Sequence, residues 1–250
     1  ITGTGAIHVP TTGIVNYAQV ARAMARRFEE LGGSVRLNTK VTGLREGSAE
    51  VVVETPGGEY RCRNLITCPG IHADRFLRML GVAADFRMVP FRGEYFQLPE
   101  HMNNIVRHLI YPIPDPALPF LGVHLTRMID GSVTVGPNAV LGRAREGSSK
   151  TAVNIRDLLE IAGYPGFWRL VGNYWRSGLA EFRNSISRTG YLEQVRKYCP
   201  QVELEDLRPY PAGIRAQAVS PEGQLIHDFL FRETRRSLHV CNAPSPAATS

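Results

Sequence analysis

The chain has 250 residues, 43% of them hydrophobic and 21% charged, enough to bury a core in one or two domains of ordinary soluble composition. No apolar run approaches the ~18 residues that a membrane-spanning helix needs, and no signal peptide opens the chain. A net charge of +6 and a pI near 9.3 suit an anionic substrate or surface, but the basic residues are scattered, which argues against nucleic acid.

Residues 1–10 read as a short strand with glycine punctuation, and the GTG there is no dinucleotide fingerprint because G-x-G-x-x-G fails at His8. Asn16 is placed to cap a helix, with Gln19 spaced to reach back as in a capping box. Tyr17, Val20, Ala21, Met24, Phe28 and Leu31 follow at helical spacing until Gly32-Gly33 ends the run, and Arg22, Arg26 and Arg27 share this helix. Short strands are expected at 34–37, 41–45, 49–55 and 59–63, with Pro56-Gly57-Gly58 turning between the last two. The apolar run 64–67 leads into Cys68-Pro69-Gly70 and a short helix over 72–80.

Residues 85–140 read as antiparallel strands joined by a proline-rich loop at 111–119. Within them, 120–129 alternates, Asp130-Gly131 supplies a turn of type I′, and 132–136 returns. Leu121, Val123 and Leu125 point one way; Gly122, His124, Thr126 and Met128 point the other. A face with an imidazole, a hydroxyl and a glycine suits the wall of a ligand cavity. A histidine in such a place is either a core residue with both nitrogens satisfied or a base that takes a proton near neutral pH.

From 151 to 198 the pattern is helical, broken at Gly163, Pro165 and Gly166. Strands return at 212–218, 225–231 and 237–242, and 243–250 begins a helix, with Ser245 able to cap it and Pro246 suited to its first position. The chain starts on Ile1 and stops inside that helix, so both ends are expected to be cut from something longer. Cys62, Cys68, Cys199 and Cys241 form no C-x-x-C pair or His-Cys ligand spacing, which points to free thiols in a reducing compartment, without disulfides or metal.

The phrases RGEYF, YPIPDP, GVHLTRMIDG and VGPNA together closely resemble the L-2-hydroxyglutarate oxidase/dehydrogenase group of FAD-dependent oxidoreductases, within the D-amino-acid-oxidase-like superfamily, from about Gly5 to Ser250. The resemblance implies an α/β fold of mixed α+β character: an incomplete FAD/NAD(P)-binding-like domain at 1–84 and 207–250, with an antiparallel-sheet substrate domain inserted at 85–206. It implies FAD as cofactor and a small 2-hydroxy dicarboxylate as substrate, oxidised to 2-oxoglutarate, with electrons passed to a membrane quinone pool or to oxygen. A cytoplasmic protein, or one peripheral at the inner membrane, fits that chemistry.

By the same resemblance Arg215, in Gly213-Ile214-Arg215, would hold a substrate carboxylate, and His124 would be the base with His8 as substitute. Thr126, Tyr95 and Arg92 would line the substrate pocket, with Arg127 a weaker candidate. Val41, Gly70, Gly213, Pro244, Ser245 and Ala247 would approach the cofactor, the last three at a helix start whose dipole faces the flavin. The family's opening strand, G-x-G-x-x-G and helix have no counterpart in these residues. Other readings are an amino acid, amine or glycerol-3-phosphate oxidoreductase of the same superfamily, or a non-catalytic fragment unable to hold FAD alone.

Overall fold

The computed structural model describes residues 5–113, 122–147 and 149–243, with the backbone alone for 176–186. Helix α1 (Tyr17–Glu30) begins as expected, with the Asn16 side chain accepting the Gln19 N–H at 3.2 Å. No return bond from the Gln19 side chain completes a capping box among the described residues. The apolar stripe of α1 is uncovered by the described residues: Met24, Phe28 and Leu31 are all exposed, and no residue of the helix is buried.

Residues 34–37 are not a strand. They have no pairing neighbour among the described residues, and Asn38 turns the chain with a φ of 56°. The next strands, β1 (Gly43–Glu46), β2 (Val51–Thr55) and β3 (Gly58–Cys62), form an antiparallel meander, closed between β2 and β3 by a two-residue turn at Pro56-Gly57. Strand β4 (Leu65–Thr67) then leads through Gly70 into α2 (Ala73–Met79).

A four-stranded antiparallel sheet follows, in the order β6-β7-β5-β8, with β5 (Arg87–Gln97) and β7 (Val133–Leu141) inside. Strand β6 (His124–Arg127) meets β7 through a three-residue loop closed by the Met128 N–H on the Ser132 carbonyl. Only Gly131 takes a positive φ, 85°, so the expected type I′ turn is replaced by a three-residue loop with one glycine in the left-handed region. The Asp130 carboxylate braces the loop by accepting from the Ser132 N–H and hydroxyl.

Helices α3 (Ile155–Ala162), α4 (Pro165–Ile186) and α5 (Arg188–Arg196) come next. Strand β8 (Arg208–Val219) then pairs along the whole of β5, so this stretch lies in the antiparallel sheet although it falls within 207–250. Strands β9 (Leu230–Glu233) and β10 (Ser237–Asn242) close the chain's described part, with β10 between β9 and β4 and parallel to β4. Residue 225 contributes a single bridge to Val219 rather than the start of a strand.

Three apolar clusters among the described residues fasten the sheet, one of them packing Val89 and Val219 with Leu170 of α4. Leu125, Val133 and Val135 pack with Tyr191, Leu192 and Val195 of α5. Met88 and Ala218 pack with Ala73 and Leu77 of α2 and Cys241 of β10, which ties the antiparallel sheet to the mixed one. A buried ion cluster adds a second tie: Arg145, wholly buried after β7, grips Asp74 of α2 with both Nη atoms at 2.5 and 2.8 Å. Asp157 of α3 accepts the Arg145 backbone N–H and the Arg75 guanidinium.

Candidate functional site

The register of the antiparallel sheet decides which side chains share a face. Strand β5 runs unbroken, so Phe91, Gly93, Tyr95 and Gln97 alternate to one side. Arg215 pairs with Phe91, Gly213 with Gly93, and Tyr210 with Tyr95. On the other flank, Thr126 pairs with Thr134, which pairs with Gln97, and His124 lies two residues before Thr126. His124, Thr126, Tyr95, Gly213 and Arg215 therefore share one face, while Leu125 points into the core with no exposure.

His124 is half-buried, and its Nδ1 lies 3.1 Å from the Gly122 carbonyl oxygen. A carbonyl can only accept, so Nδ1 carries the hydrogen and Nε2 keeps its lone pair. Burial pulls the imidazole pKa below the ordinary 6.5; the Gly122 bond opposes this, and the positive charge of Arg215 adds to it. The Tyr111 ring stacks on the imidazole, centroids 4.4 Å apart and planes 26° apart.

Arg215 is half-buried and has no carboxylate partner among the described residues. A guanidinium in that state next to a neutral imidazole is an anion site beside a proton acceptor. The pair can hold a carboxylate and take a proton from an adjacent carbon's hydroxyl.

Arg92 is not part of this group. It follows Phe91 on β5 and pairs with Ile214, so it points to the opposite face, where it binds Glu94 at 2.6 Å. Asn138 and Lys150 also meet Glu94 there, and Arg92 and Lys150 help line a cavity of about 730 Å³. His8 lies in an exposed segment, where its ring meets His108 edge-on at 5.0 Å rather than His124. Arg127, on the Leu125 side, donates to the Val106 carbonyl. Tyr111 meets His124 but escapes sequence reasoning, which placed Gly122 on this face without its carbonyl contact to the imidazole. The usable signal was the YPIPDP phrase that contains Tyr111.

Among the residues expected near a cofactor, Gly70 follows β4, has a φ of 54°, and would carry a Cβ that met no atom within 4 Å. Gly213 is likewise open on the sheet face. Val41 is half-buried just before β1. Pro244, Ser245 and Ala247 lie outside the described residues. Strands β4 and β10 run parallel with their carboxyl ends together, the kind of edge where open α/β sheets receive nucleotides. These residues fit the ring end of a flavin, since a flat group can come close to both open backbones. The sequence holds no G-x-G-x-x-G for the pyrophosphate end.

The cysteines are free, with Cys199 and Cys241 buried. Among the described residues no group of His, Cys, Asp or Glu is arranged to hold a metal, and no helix is long and apolar enough to cross a membrane.

L-2-hydroxyglutarate dehydrogenase of Escherichia coli strain K12 is 59% identical over 252 residues, which cover all of this chain and 60% of that protein. The mitochondrial L-2-hydroxyglutarate dehydrogenase of Mus musculus is 39% identical, covering 99% of this chain and 57% of that one. The chain thus spans about three-fifths of the length of the curated relatives it matches. Among solved structures, the dithionite-reduced, FAD-bound L-alpha-glycerophosphate oxidase of Mycoplasma pneumoniae superposes with a TM-score of 0.64 at 16% identity, over 92% of this chain and 51% of that one, a likeness of fold alone. The model of the family described as FAD dependent oxidoreductase matches residues 2–250, and the chain belongs to that family.

Proposed function

We propose that this chain carries the substrate-binding face of an enzyme that oxidises L-2-hydroxyglutarate to 2-oxoglutarate. The observation that carries the reading is His124, its Nδ1 on the Gly122 carbonyl, on one sheet face with Arg215, which has no carboxylate partner among the described residues. The relatives' printed names point to the same substrate. Arg215 holds a substrate carboxylate, Tyr95 and Thr126 line the same face, and His124 Nε2 accepts the hydroxyl proton as C2 becomes a carbonyl carbon. FAD, when bound, supplies the acceptor for the hydride that leaves C2. The residues that would hold its ring end are Gly70 and Gly213, with Val41 toward its adenine end. The electrons then pass to a membrane quinone pool or to oxygen, from a protein in the cytoplasm or peripheral at the inner membrane.

We assign the substrate part to residues 85–206 together with β8, and the cofactor part to 1–84 with the residues after β8.

The reading is tested by reduction of the bound flavin under anaerobic conditions, offering L-2-hydroxyglutarate, glycerol-3-phosphate and amino acids in turn. Bleaching by L-2-hydroxyglutarate alone supports it, and bleaching only by one of the others replaces the substrate. Arg215→Ala should lower kcat/KM for the hydroxy acid roughly 10²- to 10³-fold, since two charge-assisted hydrogen bonds are lost. Arg215→Lys should restore only part of this, because an ammonium cannot reproduce the planar fork. An unchanged kcat/KM in Arg215→Ala would remove this residue from the site.

A further inference from the structure

The base needs more than a lone pair; its ring must be held in one tautomer and one direction. A single bond from Nδ1 to the Gly122 carbonyl leaves the imidazole free to swing about that contact. The second restraint comes from a segment 13 residues earlier in the chain. Ile110 and Leu125 exchange backbone hydrogen bonds at 2.9 and 3.0 Å, an isolated antiparallel bridge on the outer edge of β6. The next pair along such a bridge is Tyr111 with His124, so the backbone register brings the two rings together. They stack at 4.4 Å, and Pro112, which follows Tyr111, fixes how the chain leaves the bridge.

We infer that Tyr111 is a positioning residue, whose ring clamps the His124 imidazole against the Gly122 carbonyl so that Nε2 alone faces the substrate. The inference rests on the reading of His124 as the base. Tyr111 is itself half-exposed, so its ring is a cover over the imidazole rather than part of the core. The groups that bear on His124 are then Arg215 from β8, the Gly122 carbonyl just before β6 and the Tyr111 ring from the bridge segment, with Thr126 beside it on the same face. Among the described residues the Tyr111 ring is the contact that adds to the Gly122 bond in restricting rotation of the imidazole, and the phenol oxygen has no part in that.

The test compares wild type with Tyr111→Phe and Tyr111→Ala in the FAD-loaded protein, reading the ring nitrogens of His124 by NMR with ¹⁵N-labelled histidine. There are seven histidines, so His124→Gln identifies the signal. Wild type and Tyr111→Phe should show one tautomer, hydrogen on Nδ1, and a titration below the ordinary range. Tyr111→Ala should show both tautomers averaging and a titration that moves up, with kcat lowered on the order of 10²-fold and KM little changed. Unchanged His124 signals in Tyr111→Ala would overturn the inference. A loss in Tyr111→Phe equal to that in Tyr111→Ala would overturn it too, by assigning the effect to the hydroxyl. If wild type fails to oxidise L-2-hydroxyglutarate, the proposed reaction falls, while the NMR comparison still decides the clamp.

Discussion

His124→Gln is expected to lower the rate of flavin reduction by L-2-hydroxyglutarate by roughly 10²- to 10⁴-fold, the range over which a positioned general base contributes. Glutamine keeps similar bulk and a polar end but cannot accept the hydroxyl proton at neutral pH. The fold should survive, because the imidazole is only half-buried while the neighbouring Leu125 does the packing. The same residue sets the pH profile. As the proposed base, His124 would act when unprotonated, and burial together with Arg215 lowers its pKa below 6.5. Activity is therefore lost as pH falls through that lowered value, and the acid limb of kcat/KM should lie below pH 6.5. Replacing Arg215 with Met removes one of the two depressing influences, so the limb should move to higher pH. Rapid-mixing measurement of flavin reduction between pH 4.5 and 8.5 (a range of about two units either side of the ordinary histidine value) checks both statements. An acid limb that stays in place in His124→Gln would assign the proton transfer to another group.

Arg145→Met is expected to destabilise the protein by about 3–5 kcal/mol, the cost of leaving a buried charge without its partner. Asp74 is wholly buried, and Arg145 supplies its two shortest ion-pair contacts; Arg87 and Arg78 stand farther off at 3.4 and 3.8 Å. Methionine fills part of the volume but leaves Asp74 poorly compensated and the Ile71 carbonyl without its donor. Urea unfolding with an unchanged m-value and a lowered midpoint would show the loss. Replacing Asp74 with Asn in the same chain should recover part of it, since no buried charge then remains to be matched. Glu160, at the rim of this cluster, links it to pH. Burial by itself would raise its pKa, but the Arg75 bond and the charges of Arg75 and Arg145 outweigh this and lower it to about 2. A depressed carboxyl contributes stability above its unfolded value and loses it as pH falls through the folded one. Its contribution should accordingly fade between about pH 4.5 and 2. A midpoint for Arg145→Met equal to wild type would show that the cluster is neutral to stability.

Elements with a local signal were legible in the sequence. The Asn16 cap, the meander turning at Pro56-Gly57 and the helix breaks at Gly163 and Pro165 each depend on neighbours within a few residues. Alternation through Leu125 identified the packing side of β6, because period two survives wherever one side is buried. What failed depends on distant partners. A stretch like 34–37 has strand composition but no neighbour to pair with. Arg92 and Arg215 look equivalent as strand arginines, and only the pairing of β5 with β8 puts them on opposite sides. The place of Tyr111 over His124 depends on the bridge from Ile110 to Leu125, which no local pattern announces. The role proposed for Arg215 starts from family likeness, and its surroundings, a half-buried cation without a carboxylate partner among the described residues, are compatible with it.

The parallel pairing of β4 with β10 has a consequence for how the chain is made. Thr67 and His239, which hydrogen-bond across it at 2.8 Å, are 172 residues apart. At a synthesis rate of ~5–20 residues per second, β4 leaves the ribosome roughly 10–35 s before its partner exists. The meander, whose pairs are local, can close at once, whereas β4 finds its pairing partner among the described residues only in β10, and Ile66 is still 68% exposed in the finished fold. The mixed sheet is then the last part to assemble, and a nascent chain stalled before residue 237 should be a strong client for chaperones that bind bare strand edges.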